Sequence, residues 1–136
     1  MTIQFKEHKN INIQQLENLY NDVSWHAYTK DMQQLEQALH HSLHVISAWD
    51  NDKLVGLIRI VGDGLTIVYI QDILVLNHYQ NQGIATKLMT EILQKYKHVR
   101  QKVLLTEEAP DVRHVYEKNG FESCDQGNLV AFAKLL

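Results

Sequence analysis

The chain has 136 residues, 45% of them hydrophobic, enough for one domain spanning residues 1–136 with a core of its own and no need of disulfide or metal staples. Thirteen Lys and Arg against sixteen Asp and Glu leave a formal charge of −3, the wrong balance for a general nucleic-acid binder, whose face must neutralise phosphates. The single cysteine, Cys124, excludes an intrachain disulfide, and no apolar run nears the roughly 18 residues of a membrane helix, so the expectation is a soluble, cytoplasmic chain that binds no membrane.

Ile3 and Phe5 alternate with polar neighbours as a short first strand, and Ile13, Leu16, Tyr20 and Val23 then recur at helical spacing. After Trp25-His-Ala-Tyr28, a second helix is marked by Met32, Leu35, Ala38 and Leu39, with Thr29 or Asp31 as its cap. Residues 43–49 and 54–61 are β-branched and apolar, joined by a hairpin turn at Asp50-Asn-Asp-Lys53. Gly62-Asp-Gly64 turns the chain into residues 66–76, whose near-continuous apolar character fits a strand covered on both faces. A helix bearing Ala85, Leu88, Ile92 and Tyr96 follows, then a strand at residues 103–105 and a helix with Val112, Val115 and Tyr116 that ends at Asn119-Gly120. Closing strands are expected from Phe121 onward. The order β-α-α-β-β-β-α-β-α-β-β implies a mixed sheet with helices on both faces.

The junction between the long strand and its helix, Asn77-His-Tyr-Gln80-Asn-Gln-Gly83-Ile-Ala85-Thr86, carries the most chemistry. Gly83 and Ala85 leave backbone N–H groups bare at a helix N-terminus, where unpaired donors and the positive end of the helix dipole favour phosphate. Gln80 and Gln82 offer side-chain donors, and Lys87 offers positive charge one turn in, a combination suited to a pyrophosphate. Three histidines, His40, His41 and His44, have partial metal-ligand spacing but straddle a helix end without a cysteine ligand, and are read as surface or capping residues, with no metal expected.

Gln80-Asn-Gln-Gly83-Ile-Ala85 resembles the Q/R-x-x-G-x-G/A signature of the GNAT N-acetyltransferase superfamily, and its surroundings agree: Ile70-Gln-Asp-Ile-Leu-Val75 resembles the strand before that signature, Leu54-Val-Gly56 the strand before that, and Tyr116-Glu-Lys-Asn-Gly-Phe121 the late helix-to-strand motif. The resemblance implies an α/β (α+β) fold with a mixed, mostly antiparallel sheet of about six or seven strands flanked by about four helices. It implies acetyl-CoA as cosubstrate, held along Ile73, Leu74 and Val75 and at Gln80, Asn81, Gln82, Gly83, Ile84, Ala85, Thr86 and Lys87. A bulged strand would present the backbone of Ile73 and Val75 to the pantetheine and thioester, and Tyr116 would protonate the departing thiolate. Three departures stand out: Tyr69 occupies the place of a frequent general-base glutamate, Ala109 that of a frequent asparagine, and Asn77 that of a frequent proline.

The implied reaction is direct attack by a primary amine on acetyl-CoA in a ternary complex. An amine with a pKa near 10.4 is only about 0.1% neutral at pH 7, so a group must take its proton. The candidates are Asp72 first, then Asp63, Glu107, Glu108 and His26. Trp25, His26 and Tyr28 occupy the segment that forms the acceptor wall in similar proteins, and their aromatic character suits a small apolar or aromatic amine. A small-molecule acceptor and a possible homodimer are the expected partners. A non-catalytic CoA-binding regulatory module, or an acetyltransferase acting on proteins or peptides, are the alternatives.

Overall fold

The computed structural model describes residues 2–107 and 109–136, and of Asp111 the backbone alone. The chain divides after Leu105 into two units. The first holds five strands: β1 (Ile3–Lys6), β2 (His44–Asp50), β3 (Lys53–Gly62), β4 (Ile67–Val75) and β5 (Gln101–Leu104). They form one sheet in the order β1-β2-β3-β4-β5, antiparallel throughout except for the parallel pair β4–β5. Its helices are α1 (Ile13–Asp22), α2 (His26–Thr29), α3 (Met32–His41) and α4 (Ile84–Lys95); α5 (Pro110–Lys118) belongs to the second unit.

Local chemistry sets the element ends. Asn12 caps α1 by accepting the Gln15 N–H at 3.1 Å, and Asp31, rather than Thr29, caps α3 through the Gln34 N–H at 3.0 Å. The two-residue loop between Asp50 and Lys53 turns at Asn51, a residue type that tolerates its φ of 53°. In the next turn Asp63 accepts the backbone N–H groups of Leu65, Thr66 and Ile67 and the Thr66 hydroxyl, and these donors hold its carboxyl well below the usual carboxylate range.

One face of the sheet packs on α4, whose buried Ile84, Leu88, Met89 and Ile92 fall at helical spacing. The other face takes α1 through Leu16, Leu19 and Tyr20. Each such fully covered leucine contributes about 1.5–3 kcal/mol by leaving water. β4 carries one bulge: Arg59 pairs with Asp72 and its neighbour Ile60 with Ile70, which leaves Gln71 as an extra residue.

Two expectations are corrected. Among the described residues the sheet has five strands, not six or seven: beyond Phe121 the chain forms a 3-10 turn at Cys124–Gln126 and residues 127–136 are irregular, with Leu129, Val130, Phe132 and Leu135 exposed. An apolar run becomes a strand only where a partner strand takes up its backbone hydrogen bonds, and no ladder forms here. Among the described residues the α-helices number five rather than about four because His26-Ala-Tyr-Thr29, after Trp25, winds into the single turn α2, closed by Lys30 N–H to the His26 carbonyl at 3.2 Å. Four residues are too few to display a helical period.

Candidate functional site

β4 ends in a 3-10 turn, Asn77–Tyr79, that leads into α4. The turn is anchored on both sides. Asn77 donates its backbone N–H to Asp22 Oδ2 at 2.6 Å and its Nδ2 to the Asp22 carbonyl at 2.7 Å, which ties the turn to the end of α1. The Tyr79 hydroxyl donates to Asp50 Oδ2 at 2.7 Å, which ties it to the β2–β3 hairpin. Gly83 then takes the N-cap position of α4 at φ 84°, ψ 4°, a left-handed conformation in which a side chain is strained, and no side chain caps the helix. The first helical bond runs from Lys87 N–H to the Gly83 carbonyl at 3.0 Å, so the amides of Ile84, Ala85 and Thr86 come before any intrahelical acceptor.

The side chains of this turn face their own loop. Gln80 Nε2 donates to the Val75 carbonyl at 3.1 Å and to Asn77 Oδ1 at 3.2 Å, and Gln82 Nε2 reaches the His78 carbonyl at 3.4 Å. Asn81 is exposed at φ 63°, Ile84 is buried in the core, and Lys87 pairs with Glu91 at 2.8 Å. What the turn offers a ligand is therefore backbone donors and the positive end of a 12-residue helix. These features fit the phosphates of a CoA thioester.

Along β4, β5 pairs only with the stretch from Ile67 to Ile70. Beyond it, Gly56 faces Val75 in register and Leu76 N–H donates to the Val55 carbonyl at 2.9 Å, so the N–H and C=O of Val75 turn away from β3. Ile73, two residues earlier, turns the same way. Leu74 is buried, on the face of Asp72.

Asp72 lies at the centre of a buried cluster that the sequence did not announce. Its side chain is 1% exposed. Oδ2 accepts Arg59 Nε at 2.7 Å and the Tyr20 hydroxyl at 2.9 Å; Oδ1 accepts the Tyr28 hydroxyl at 2.6 Å. Gln71 Nε2 in turn donates to Tyr28 Oη at 3.0 Å. Burial, reinforced by the Asp72 charge, raises the Tyr20 hydroxyl well above its ordinary value, and burial with the Asp72 hydrogen bond raises Tyr28. Trp25 completes an aromatic group with Tyr20 and Tyr28, its ring centroid 6.1 and 6.2 Å from theirs. His26 is exposed, with Nδ1 3.0 Å from Asn21 Oδ1. Tyr20, Arg59 and Gln71 are the residues sequence reasoning missed; an arginine inside the apolar run Leu57-Ile-Arg-Ile-Val61 was the available signal, because a buried charge requires a partner.

In the second unit, Tyr116 and Phe121 belong to a Schellman motif. Phe121 N–H donates to the Tyr116 carbonyl at 3.1 Å and Gly120 N–H to that of Glu117 at 3.1 Å, with Gly120 left-handed at φ 90° and the two aromatic rings edge to face at 6.1 Å. Burial raises the Tyr116 hydroxyl above its ordinary value, against a hydrogen bond with Thr106 that lowers it. Of the other proton-acceptor candidates, Asp63 is consumed by its turn, Glu107 is exposed and Glu108 lies outside the described residues. Among the described residues no three His, Cys, Asp or Glu side chains gather where they could hold a metal ion, and His44 is taken up by Glu7 and Tyr96. No helix among them is long and apolar enough to cross a membrane.

Comparison with known proteins accords with this geometry. The family model for the acetyltransferase (GNAT) domain matches residues 8–133. A GNAT family acetyltransferase of Streptococcus pneumoniae TIGR4 superposes with a TM-score of 0.88 at 37% identity, covering 99% of this chain and 98% of its own. An uncharacterized N-acetyltransferase, ycf52, of Pyropia yezoensis is 28% identical over 128 residues, 88% of this chain and 72% of that protein. The fold is shared, at 16% identity and a TM-score of 0.69 with both chains fully covered, by AAC(6')-Iy, solved in complex with the bisubstrate analogue CoA-S-monomethyl-acetylneamine. With nearly the whole chain matched, the protein belongs to the GNAT acetyltransferase family.

Proposed function

We propose that this protein transfers the acetyl group of acetyl-CoA to a primary amine of a small molecule, by direct attack with both substrates bound. The observation that carries this reading is the end of β4: an α4 N-terminus capped by Gly83 alone, next to a strand edge where Ile73 and Val75 turn their backbone groups away from β3. Acetyl-CoA, when bound, supplies an activated acetyl thioester. The amides at the start of α4 are donors for its phosphates, with the helix dipole adding to their pull. The Ile73 backbone groups and the Val75 N–H serve as hydrogen-bonding partners for an amide-bearing chain laid along the strand edge, the Val75 carbonyl already accepting Gln80 Nε2 at 3.1 Å. The fold-sharing protein solved with CoA and acetylneamine joined in one ligand supports a ternary arrangement.

Tyr116 is assigned the role of proton donor to the leaving thiolate. Its raised pKa keeps the hydroxyl protonated across the neutral range, which a donor requires. Trp25, His26 and Tyr28 are assigned to the acceptor wall, and Asp72 remains the first candidate for the amine's proton. Because its carboxylate is sealed, with the half-buried Tyr28 as the partner nearest the surface, Asp72 acts through Tyr28 rather than by direct contact. The test is CoA thiol release from acetyl-CoA with 2-phenylethylamine, spermidine and neamine. Release is expected with at least one amine, and Tyr116→Phe is expected to lower it about 10²–10⁴-fold, the range for loss of a general acid. No release with any of the three amines overturns the reading.

A further inference from the structure

The hydrogen bonds around Asp72 fix the direction of every hydroxyl in the cluster. The carboxylate, ion-paired with Arg59, supplies acceptors only, so the hydrogens of both Tyr20 and Tyr28 are spent on it. Tyr28 Oη therefore presents only lone pairs on its other side. Gln71 Nε2 donates into them at 3.0 Å, and Arg59 Nη2 lies at 3.5 Å, the limit of a hydrogen bond. Tyr20, Arg59 and Asp72 are buried, Tyr28 is half-buried and Gln71 is exposed, so the buried charge meets the surface at Tyr28 Oη. Gln71 is the bulge residue, two positions before Ile73 along β4, roughly 6–7 Å by strand rise.

An oxygen that only accepts selects a ligand that donates. We propose that Tyr28 Oη is the point at which the acceptor amine docks an N–H, and that the Gln71 carboxamide occupies that point until the amine displaces it. The inference rests on the acetyl-transfer reading above and adds to it the atom that recognises the amine and the side chain that competes with it. Arg59 is a positioning residue here: by holding Asp72 as a pure acceptor it keeps the Tyr28 hydrogen turned inward. Carboxylate or phosphate groups, lacking a hydrogen to give, gain nothing at this oxygen.

The two variants have opposite signs. With the amine of the three that is turned over fastest, Tyr28→Phe is expected to raise its KM, and its Kd by calorimetry in the presence of CoA, about two- to tenfold, the worth of one neutral hydrogen bond. Gln71→Ala, which removes the competitor, is expected to lower both by about two- to fivefold on the same scale. The KM for acetyl-CoA stays unchanged in both. A merely structural role for Tyr28 moves thermal stability and both KM values together, and gives no gain in Gln71→Ala. Wild-type amine KM and Kd in Tyr28→Phe, or an increase in Gln71→Ala, overturns the inference while leaving acetyl transfer standing; absence of thiol release from the wild type overturns both. If Tyr28→Phe fails to fold, the exposed Gln71→Ala still decides by the sign of its effect.

Discussion

The two halves of the β4 site are made of different material. At its C-terminal end the turn into α4 offers backbone amides, and its side chains serve to hold the loop: Gln80 on the Val75 carbonyl, Asn77 on Asp22, Tyr79 on Asp50. In the middle of the strand the Arg59–Asp72 cluster is made of side chains, drawn from α1, α2, β3 and β4 and locked by charge. A backbone site tolerates substitution wherever conformation is kept. A side-chain site built on a buried ion pair loses heavily when either charged member is removed, because the partner left behind stays buried and charged.

That contrast breaks first, if it is wrong, at Arg59. Arg59→Met strands the Asp72 carboxylate and is expected to cost about 3–5 kcal/mol of unfolding free energy, whereas Arg59→Met combined with Asp72→Leu recovers a large part of the loss. Urea melts of the three proteins decide it; a double variant no better than Arg59→Met refutes the charge argument. Gly83→Val, at a left-handed position, is expected to cost about 1–2 kcal/mol and to weaken acetyl-CoA binding, while Gly83→Asn, whose side chain accepts that conformation better, loses less of both.

The cluster also has a pH signature. The folded pKa of Tyr20 lies above its ordinary value near 10, so its contribution is complete below about pH 10 and lost as pH rises past it, when the unfolded chain ionises and the fold resists. The urea midpoint is expected to drop between pH 8 and pH 10.5, and to drop less in Tyr20→Phe. The smallest effect belongs to Lys87→Ala: with its ammonium already on Glu91 at the surface, the KM for acetyl-CoA is expected to rise at most about twofold. A tenfold rise would show that the turn relies on side-chain charge after all.

The same division decided what the sequence made legible. Gly83 and Ala85 could be read as a helix opening because their residue types act through the backbone at that very position. The cluster could not: Tyr20 and Asp72 are 52 positions apart, and each looks ordinary in its own element. Helical spacing placed Tyr20 correctly in the core but says nothing of where its hydroxyl goes. The strands expected from Phe121 onward failed for the complementary reason, since an apolar run such as Leu129-Val-Ala-Phe132 leaves open whether a partner strand exists. In Tyr116-Glu-Lys-Asn-Gly-Phe121 the helix end was legible from Asn-Gly, and the pairing of its two aromatics follows from the Schellman geometry.

The bulge at Gln71 acts as a change of phase. Val68, Ile70, Asp72 and Leu74 stand at every second position, and an unbroken strand would put all four on one side. Yet Ile70 lies opposite Ile60 and Asp72 opposite Arg59, neighbours on β3 that point to opposite faces, so one inserted residue splits the series between the two helical layers. Drawing Gln71 into the ladder would force a choice on the strand: either Asp72 rotates into the α4 layer and leaves Arg59 behind, or Val68 and Ile70 rotate out of it. A single residue thus lets one strand supply hydrocarbon to one layer and charge to the other.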